Sequence, residues 1–372
     1  MAAADTVLLF DAGAGTAQGG RLTQEDRYVL LFPDQFPAKT TDKIALFGVY
    51  DGHGSDMVSE HVRRHLPNLL SSRPEFEDGD YETAIAKAFE DEDAILLENV
   101  MSNDTEPIVS GSTVAVCIVN LTKGVLVVGN VGDSHIMFAQ RDPATETLFN
   151  MERLTKAHKP GTASEKRRIE KAGGAVHNSS GTPRVGTLNM SRALGDLQYK
   201  NPVNTLDIDG STKSKRASAA APEARGNFLT NEPHLRRVQL DRDSRYVLLC
   251  CTDGVSDITD EKMLMEHVMK EFMRGQRATD IAKQVTEKAV VVVYLCARPI
   301  IRQFQDLGLR AGGKYLQFNA ELCYESILTY LPAHSLVNEW PMADTFANGI
   351  KLSIPAPYSH ESSPYTILRM HN

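Results

Sequence analysis

The sequence predicts an α+β fold built mostly of antiparallel sheet, and three observations predict it. From about Arg27 to Cys251, short apolar runs rich in Val, Ile, Leu and Phe recur with turn residues at their ends, as strands do. Neighbouring runs are joined by loops of hairpin length, as at Asn120 to Gly124. Helical stretches are grouped between the strands rather than alternating with them one for one, which argues against regular βαβ winding.

The clearest strands are Ile44 to Tyr50, Ser112 to Val119, Val125 to Val131, His135 to Ala139 and Tyr246 to Cys251. Asp56 to Leu70 predicts a helix with Val58, Val62, Leu66 and Leu69 on one face, and Tyr81 to Val100 a second with Ala84, Ala88, Ile95 and Leu96 aligned. A third opens on the capping-box spacing Thr162-x-x-Glu165 and stops at Gly173-Gly174. Glu261 to Lys288 is helical in composition. Asp209 to Asn227 is small, polar and locally basic, and reads as a flexible surface loop. Beyond Lys288 the rhythm of strands and turns stops, so we divide the chain into a domain at 1–288 and a divergent C-terminal segment at 289–372.

Composition narrows the function. Against 48 Asp and Glu stand 40 Lys and Arg, a net charge of −8, which argues against a nucleic-acid binder held by phosphate neutralisation. At 42% hydrophobic and 24% charged residues the chain has material for a sizeable core and no disorder-prone charge excess. Five cysteines without C-x-x-C spacing read as reduced core thiols, and the first ten residues lack a basic start, so we expect an intracellular protein of the cytoplasm or nucleus. The longest uncharged apolar stretch, Ala289 to Ala297, falls far short of the ~20 residues needed to span a bilayer, so no membrane insertion is expected.

The acids at strand ends are the most informative feature. Asp51 follows the run ending at Tyr50, Asp253 follows the run ending at Cys251, and Asp133 lies between two strands. Carboxylates at one end of a sheet repel one another and resist desolvation unless a shared cation holds them. Hard oxygen ligands with no Cys or His cluster select Mg²⁺ or Mn²⁺ over Zn²⁺. Glu25-Asp26 adds an acidic pair before the run Tyr28 to Phe32, and Arg21 four residues earlier suits an anionic, bidentate substrate such as phosphate. Gly52 and Gly54 let the backbone approach a cation beside His53, an imidazole able to protonate a leaving group. Any one of these residues alone reads as a turn or a solvated charge; the constellation carries the weight.

These residues stand in blocks: Arg21-x-x-x-Glu25-Asp26, FGVYDGHGS (Phe47 to Ser55), GSTVAV (Gly111 to Val116), NVGDS (Asn130 to Ser134), AHKP (Ala157 to Pro160), RIEKAGGAV (Arg168 to Val176), MSRALGD (Met190 to Asp196) and CTDGVSD (Cys251 to Asp257). In this order they resemble the type 2C metal-dependent serine/threonine protein phosphatases over roughly Gly19 to Lys288. The resemblance implies two antiparallel sheets packed as a sandwich with helices on both outer faces, and a dinuclear site at one end. It implies Asp51 as the bridging carboxylate, the Gly52 carbonyl as a ligand of one ion, and Glu25 and Asp253 as ligands of the other. Asp133 and Asp257 resemble the acids of a third, weaker site, Asp26 an outer acid accepting from bound water, Arg21 the phosphate-binding arginine and His53 the general acid. Ser191 to Asp196 is assigned to structure beside the site, and Gln198 to His234 to the family's variable flap. Two Mg²⁺ or Mn²⁺ ions, phosphoprotein substrates and a monomer acting in signalling are the corresponding expectations.

The resemblance fails at the C-terminus. Family members follow the last helix with an Asp-Asn loop, whose Asp completes a metal site, and then a final strand; no Asp-Asn occurs here after Lys288. The nearest acid in a comparable context is Asp344, and Val290 to Leu295 is the run available for the strand. Smaller departures are Ala157 before His-Lys-Pro and His135 after Gly-Asp-Ser. The alternative reading is a pseudophosphatase or weakly active isoform that binds phosphoproteins or a partner.

Overall fold

The computed structural model describes residues 7–102, 105–141, 149–179, 181–205, 226–241, 244–289 and 365–371. Its strands are β1 (Leu8–Gly15), β2 (Arg27–Leu31), β3 (Ile44–Tyr50), β4 (Gly52–His53), β5 (Gly111–Ser112), β6 (Val114–Asn120), β7 (Val125–Val131), β8 (His135–Arg141), β9 (Phe149–Arg153), β10 (His177–Ser179), β11 (Thr182–Arg184), β12 (Leu194–Gly195), β13 (His234–Gln239), β14 (Tyr246–Cys251) and β15 (Tyr365–His371). Two five-stranded antiparallel sheets dominate, ordered β13-β7-β6-β3-β2 and β1-β15-β14-β8-β9. A small sheet, β12-β5-β4, is attached beside the first.

Alternation along the strands builds the layers, because successive side chains leave a strand on opposite faces. In β3, Ala45, Phe47 and Val49 point into a core between the sheets, where they meet Ala115, Cys117 and Val119 of β6 and Tyr246, Leu248 and Cys250 of β14. Ile44, Leu46 and Tyr50 point the other way, against the helices α1 (Met57–Ser71) and α3 (Tyr81–Met101), each followed by a short helix, α2 (Pro74–Glu77) and α4 (Glu106–Val109). Val247, Leu249 and Cys251 of β14 face Leu264, Val268 and Phe272 of the helix Glu261–Met273 and Ile281 and Val285 of a helix at 278–289. Helices, sheet, sheet and helices therefore form four layers, and both faces of the inner strands are dry. Antiparallel strands ordinarily keep one wet face; here burial on both sides produces the unbroken apolar runs seen in the sequence.

Local expectations hold with adjustments. The helix predicted from Asp56 is α1, and Leu70 rather than Leu69 completes its buried stripe. Glu261 to Lys288 is two helices, separated where Gly275 takes a positive φ of 82°. The third predicted helix is α5 (Ala163–Lys171), but its capping box does not form: Thr162 Oγ1 donates to the Lys159 carbonyl and Glu165 turns inward to Ser191 and Arg192. Strand β15 fills the place between β1 and β14, with Leu9 opposite Met370 and Cys251 opposite Tyr365. The sequence offered Val290 to Leu295 for that position; the structure assigns it to Tyr365–His371, and 290–295 lie outside the described residues. So do Asp344, Cys296, Cys323 and residues 209–225 of the predicted loop. Cys117, Cys250 and Cys251 are free, buried thiols. Among the described residues no helix is long and apolar enough to cross a membrane.

Candidate functional site

Strand register brings the predicted acids to one end of the two sheets. Arg27 pairs with Tyr50, so Glu25 and Asp26 ahead of β2 lie beside Asp51 at the end of β3. Val114 pairs with Val131, placing the turn that holds Asp133 at the same end, and Cys251 pairs with His135, placing Asp253 there from the second sheet. Asp253 opens a short helix, Asp253–Ser256, after which the Asp257 N–H donates to the Asp253 carbonyl at 2.9 Å. All eight side chains predicted for the site, Arg21, Glu25, Asp26, His53, Asp51, Asp133, Asp253 and Asp257, interact electrostatically within this group.

The electrostatics are those of a site with too much negative charge. Burial first, and then Asp26, Asp253 and Asp133, push the Asp51 carboxyl far above the usual carboxylate range, and Asp51 and Asp253 share a hydrogen bond. Asp133 is raised by burial and by Asp253, against which a contact with Lys159 Nζ works only in part. Its Oδ1 is buried and has no hydrogen-bond partner. Asp253 and Asp257 are also raised, each mainly by burial. Arg21 stands exposed over the cluster: desolvation opposes its charge, but Asp51, Asp253, Asp26 and Glu25 outweigh that and hold its pKa above the ordinary value. An orphaned buried oxygen, crowded carboxylates and a donor set made of oxygen alone fit hard divalent cations.

Two glycines set the geometry. A Cβ on Gly52 would lie 2.2 Å from the Glu25 carbonyl oxygen and 2.7 Å from Ser59 Oγ, so only glycine lets the Asp51 turn press against the Glu25 segment. Thr252 Oγ1 donates to Asp26 Oδ2 at 3.2 Å, and the Thr113 N–H donates to the Asp51 carbonyl at 2.9 Å, tying Asp26 and Asp51 to neighbouring strands. In the small sheet, His53 pairs with Gly111 and Gly111 with Gly195, and the residue after Gly195 is Asp196. His53 Nε2 lies 2.6 Å from Asp196 Oδ2, and the two meet over Gly111, where a Cβ would be 2.7 Å from the first atom and 2.2 Å from the second. Desolvation opposes protonation of His53, but the fully buried Asp196, with help from Asp133 and Glu25, raises its pKa. His53 Nδ1 is left without a protein partner.

Asp196 therefore belongs to the His53 environment, where sequence reasoning placed it in structure beside the site. It is the one non-glycine residue with positive φ among those described, at 50°, and a Gly-Asp pair in an irregular turn was the available signal. Lys159, in the Ala157 to Pro160 block, was likewise given no role and is the cation nearest Asp133. His135, the residue after Gly-Asp-Ser, is buried and held neutral, its pKa pushed to about 3 by burial and then by Arg153 and Lys159.

Comparison with known proteins identifies the family. The pattern of the family described as Protein phosphatase 2C matches residues 10–292. Protein phosphatase 2C homolog 2 of Schizosaccharomyces pombe is 28% identical over 279 residues, 75% of this chain and 66% of that protein. Probable protein phosphatase 2C 4 of Paramecium tetraurelia is 30% identical over 283 residues, 74% of this chain and 82% of that protein. In fold, the chain is similar to a serine-threonine phosphatase 2C from Toxoplasma gondii, with a TM-score of 0.60 and 20% identity over 97% of this chain and 94% of that one. With the family pattern spanning every block that builds the acidic end of the sandwich, the chain belongs to the protein phosphatase 2C family.

Proposed function

We propose that the chain hydrolyses phosphoserine and phosphothreonine in proteins, reversing kinase signals as a monomer in the cytoplasm or nucleus. The observation that carries this reading is the convergence of Asp51, Asp133, Asp253 and Asp257 with far too little internal counter-charge, under the exposed Arg21. Glu25, Asp51, the Gly52 carbonyl and Asp253 would hold two Mg²⁺ or Mn²⁺ ions, with Asp133 and Asp257 for a third. When bound, the ions supply Lewis-acid charge and lower the pKa of water at the site. Arg21 binds the phosphoryl oxygens and aligns them. His53, kept protonated and oriented through Nε2 by Asp196, offers Nδ1 to the departing seryl or threonyl oxygen. Asp26 orients water through its remaining acceptor capacity. Free buried thiols support a reducing compartment.

A second reading, a phosphoprotein-binding pseudophosphatase, is favoured by one observation: β15 restores the last strand, but Ser362-Ser363-Pro364 precede it where the family carries Asp-Asn. The test is hydrolysis of a phosphothreonine peptide by the full chain with Mn²⁺, with Mg²⁺ and with EDTA. Turnover that appears with either ion and vanishes with EDTA is expected. A folded chain that binds the peptide without releasing phosphate at any metal concentration would establish the second reading instead.

A further inference from the structure

The helices that cover the first sheet contain a second group of metal-type ligands, unlike the first in chemistry. His61 and His65 lie one turn apart on α1, and Glu92 faces them from α3. His61 Nδ1 is 2.5 Å from Glu92 Oε1, the two imidazole rings meet edge to face with centroids 3.8 Å apart, and one donor atom from each of the three residues lies within 4.8 Å of the others.

Glu92 is the unusual member. It sits at 0% exposure in the apolar stripe of α3, between Phe89 and Leu96, and its Oε2 has no hydrogen-bond partner. The next residue, Asp93, shows how this fold treats a buried acid that it neutralises itself: Oδ1 accepts from the Gly195 N–H at 2.8 Å and Oδ2 from Lys200 Nζ at 2.5 Å. Glu92 has a single imidazole for a partner. A buried carboxylate oxygen left unpaired is costly, so such groups normally face a cation or a donor. A His61–Glu92 pair accounts for one oxygen; it accounts neither for the other nor for a second imidazole held against the first. Burial and the neighbouring His61 lower the pKa of His65, leaving it neutral and free to ligate.

We propose that His61, His65 and Glu92 form a binding site for a transition divalent ion of the Zn²⁺ class, separate from the carboxylate cluster and clamping α1 to α3. Two imidazoles and one carboxylate are a borderline-soft donor set that suits Zn²⁺, whereas the all-oxygen cluster suits Mg²⁺ or Mn²⁺. Tetrahedral bonds of ~2.0–2.1 Å put donor atoms roughly 3.3 Å apart, a value between the 2.5 Å of the His61–Glu92 contact and the 4.8 Å within which all three donors lie, so small side-chain adjustments would be needed. Solvent beside His65 supplies the fourth ligand. Because α1 begins directly after the Asp51 to Gly54 turn, the clamp anchors the helix that carries this turn into the fold, and an ion bound only by the folded chain raises its stability.

The test uses the full chain saturated with Mg²⁺, so that the carboxylate cluster is occupied, and titrates Zn²⁺ by calorimetry and Co²⁺ by its visible absorption. One equivalent of Zn²⁺ is expected with Mg²⁺ present, together with a four-coordinate Co²⁺ spectrum and a thermal midpoint that rises with Zn²⁺. His65→Ala, at an exposed position with little folding risk, should weaken Zn²⁺ binding ~10²-fold and abolish both the spectrum and the shift, while leaving Mg²⁺-supported phosphopeptide hydrolysis unchanged. Glu92→Gln should do the same if it folds. Identical Zn²⁺ and Co²⁺ titrations for the native chain and His65→Ala would overturn the site.

Discussion

Glu165 and Asp133 are equally buried carboxylates, 2% and 1% exposed, and the protein treats them in opposite ways. Burial would raise Glu165, but Arg192, Ser191 and Arg168 surround it with donors and positive charge and bring its pKa to about 2. Asp133 meets Lys159 on one oxygen and nothing on the other, beside Asp253 and Asp257, and its pKa goes up. Where the chain supplies the counter-charges, the carboxylate belongs to the architecture. Where it withholds them, the carboxylate keeps an unmet charge, and the fold gathers such carboxylates at one end of the sandwich, as functional sites do.

The sharpest way to separate the two regions is to neutralise one acid in each. Asp51→Asn should reduce kcat/KM for a phosphothreonine peptide on the order of 10⁴-fold, ~5.5 kcal/mol of transition-state stabilisation, if Asp51 is the proposed metal-holding carboxylate. In EDTA the same variant should melt no lower than the native chain, since burial and the neighbouring Asp26, Asp253 and Asp133 already hold the metal-free Asp51 carboxyl against ionising and Asn keeps that neutral state. A fall in both quantities would erase the distinction and make Asp51 a structural acid.

Glu165→Gln should show the reverse pattern. Losing the charge strands Arg168 and Arg192, at a cost of about 3 kcal/mol in chemical denaturation, while kcat of the folded enzyme stays within ~3-fold. The sign in pH follows from the depressed pKa. Glu165 contributes its stability fully above its ordinary value of 4.5 and loses it as pH falls toward about 2. Across that window the native chain should lose more stability than Glu165→Gln; parallel curves would show that Glu165 gains nothing from its arginines.

How much of this was legible differs by region for a physical reason. β3, β7 and β14 are readable because both faces are buried, which leaves an unbroken apolar run, and each is followed within two residues by an acid whose position the register then fixes. β13, whose run His234 to Gln239 carries Arg236 and Arg237 to the surface, has no such run, and β15 is a strand through its pairing with β1 and β14 far away in sequence. The same holds in the site. The acids, Arg21 and His53 announce themselves by local context, whereas Asp196 reaches His53 only because β12, β5 and β4 align and Gly111 carries no side chain between them. Glu165 was read as a helix cap, a local role, and is instead the hub of a long-range ion network.

Asp196→Asn tests whether the buried acid beside His53 belongs with Glu165 or with Asp133. If it holds the imidazole protonated and oriented, kcat should fall ~10- to 10²-fold with KM little changed, and the alkaline fall of kcat should move to lower pH, since the anion that raises the His53 pKa is gone. A variant that is merely less stable, with an unshifted pH profile, would place Asp196 among the structural acids.

The smallest effect is expected at Arg21, which touches the anionic cluster from its exposed side. Its charge interacts with Asp51, Asp253, Asp26 and Glu25; with cations held by those acids, as proposed, that attraction would weaken and leave the guanidinium for the phosphoryl group. Arg21→Ala should therefore raise KM about 10-fold, ~1.4 kcal/mol, with a smaller fall in kcat. Arg21→Lys should recover only part of the loss, because an ammonium keeps the charge and loses the bidentate fork. Full recovery by lysine would show that the site reads charge alone, and unchanged kinetics in Arg21→Ala would move the arginine out of the substrate path and into the same class as Lys159, a partial counter-ion for the acids beneath it.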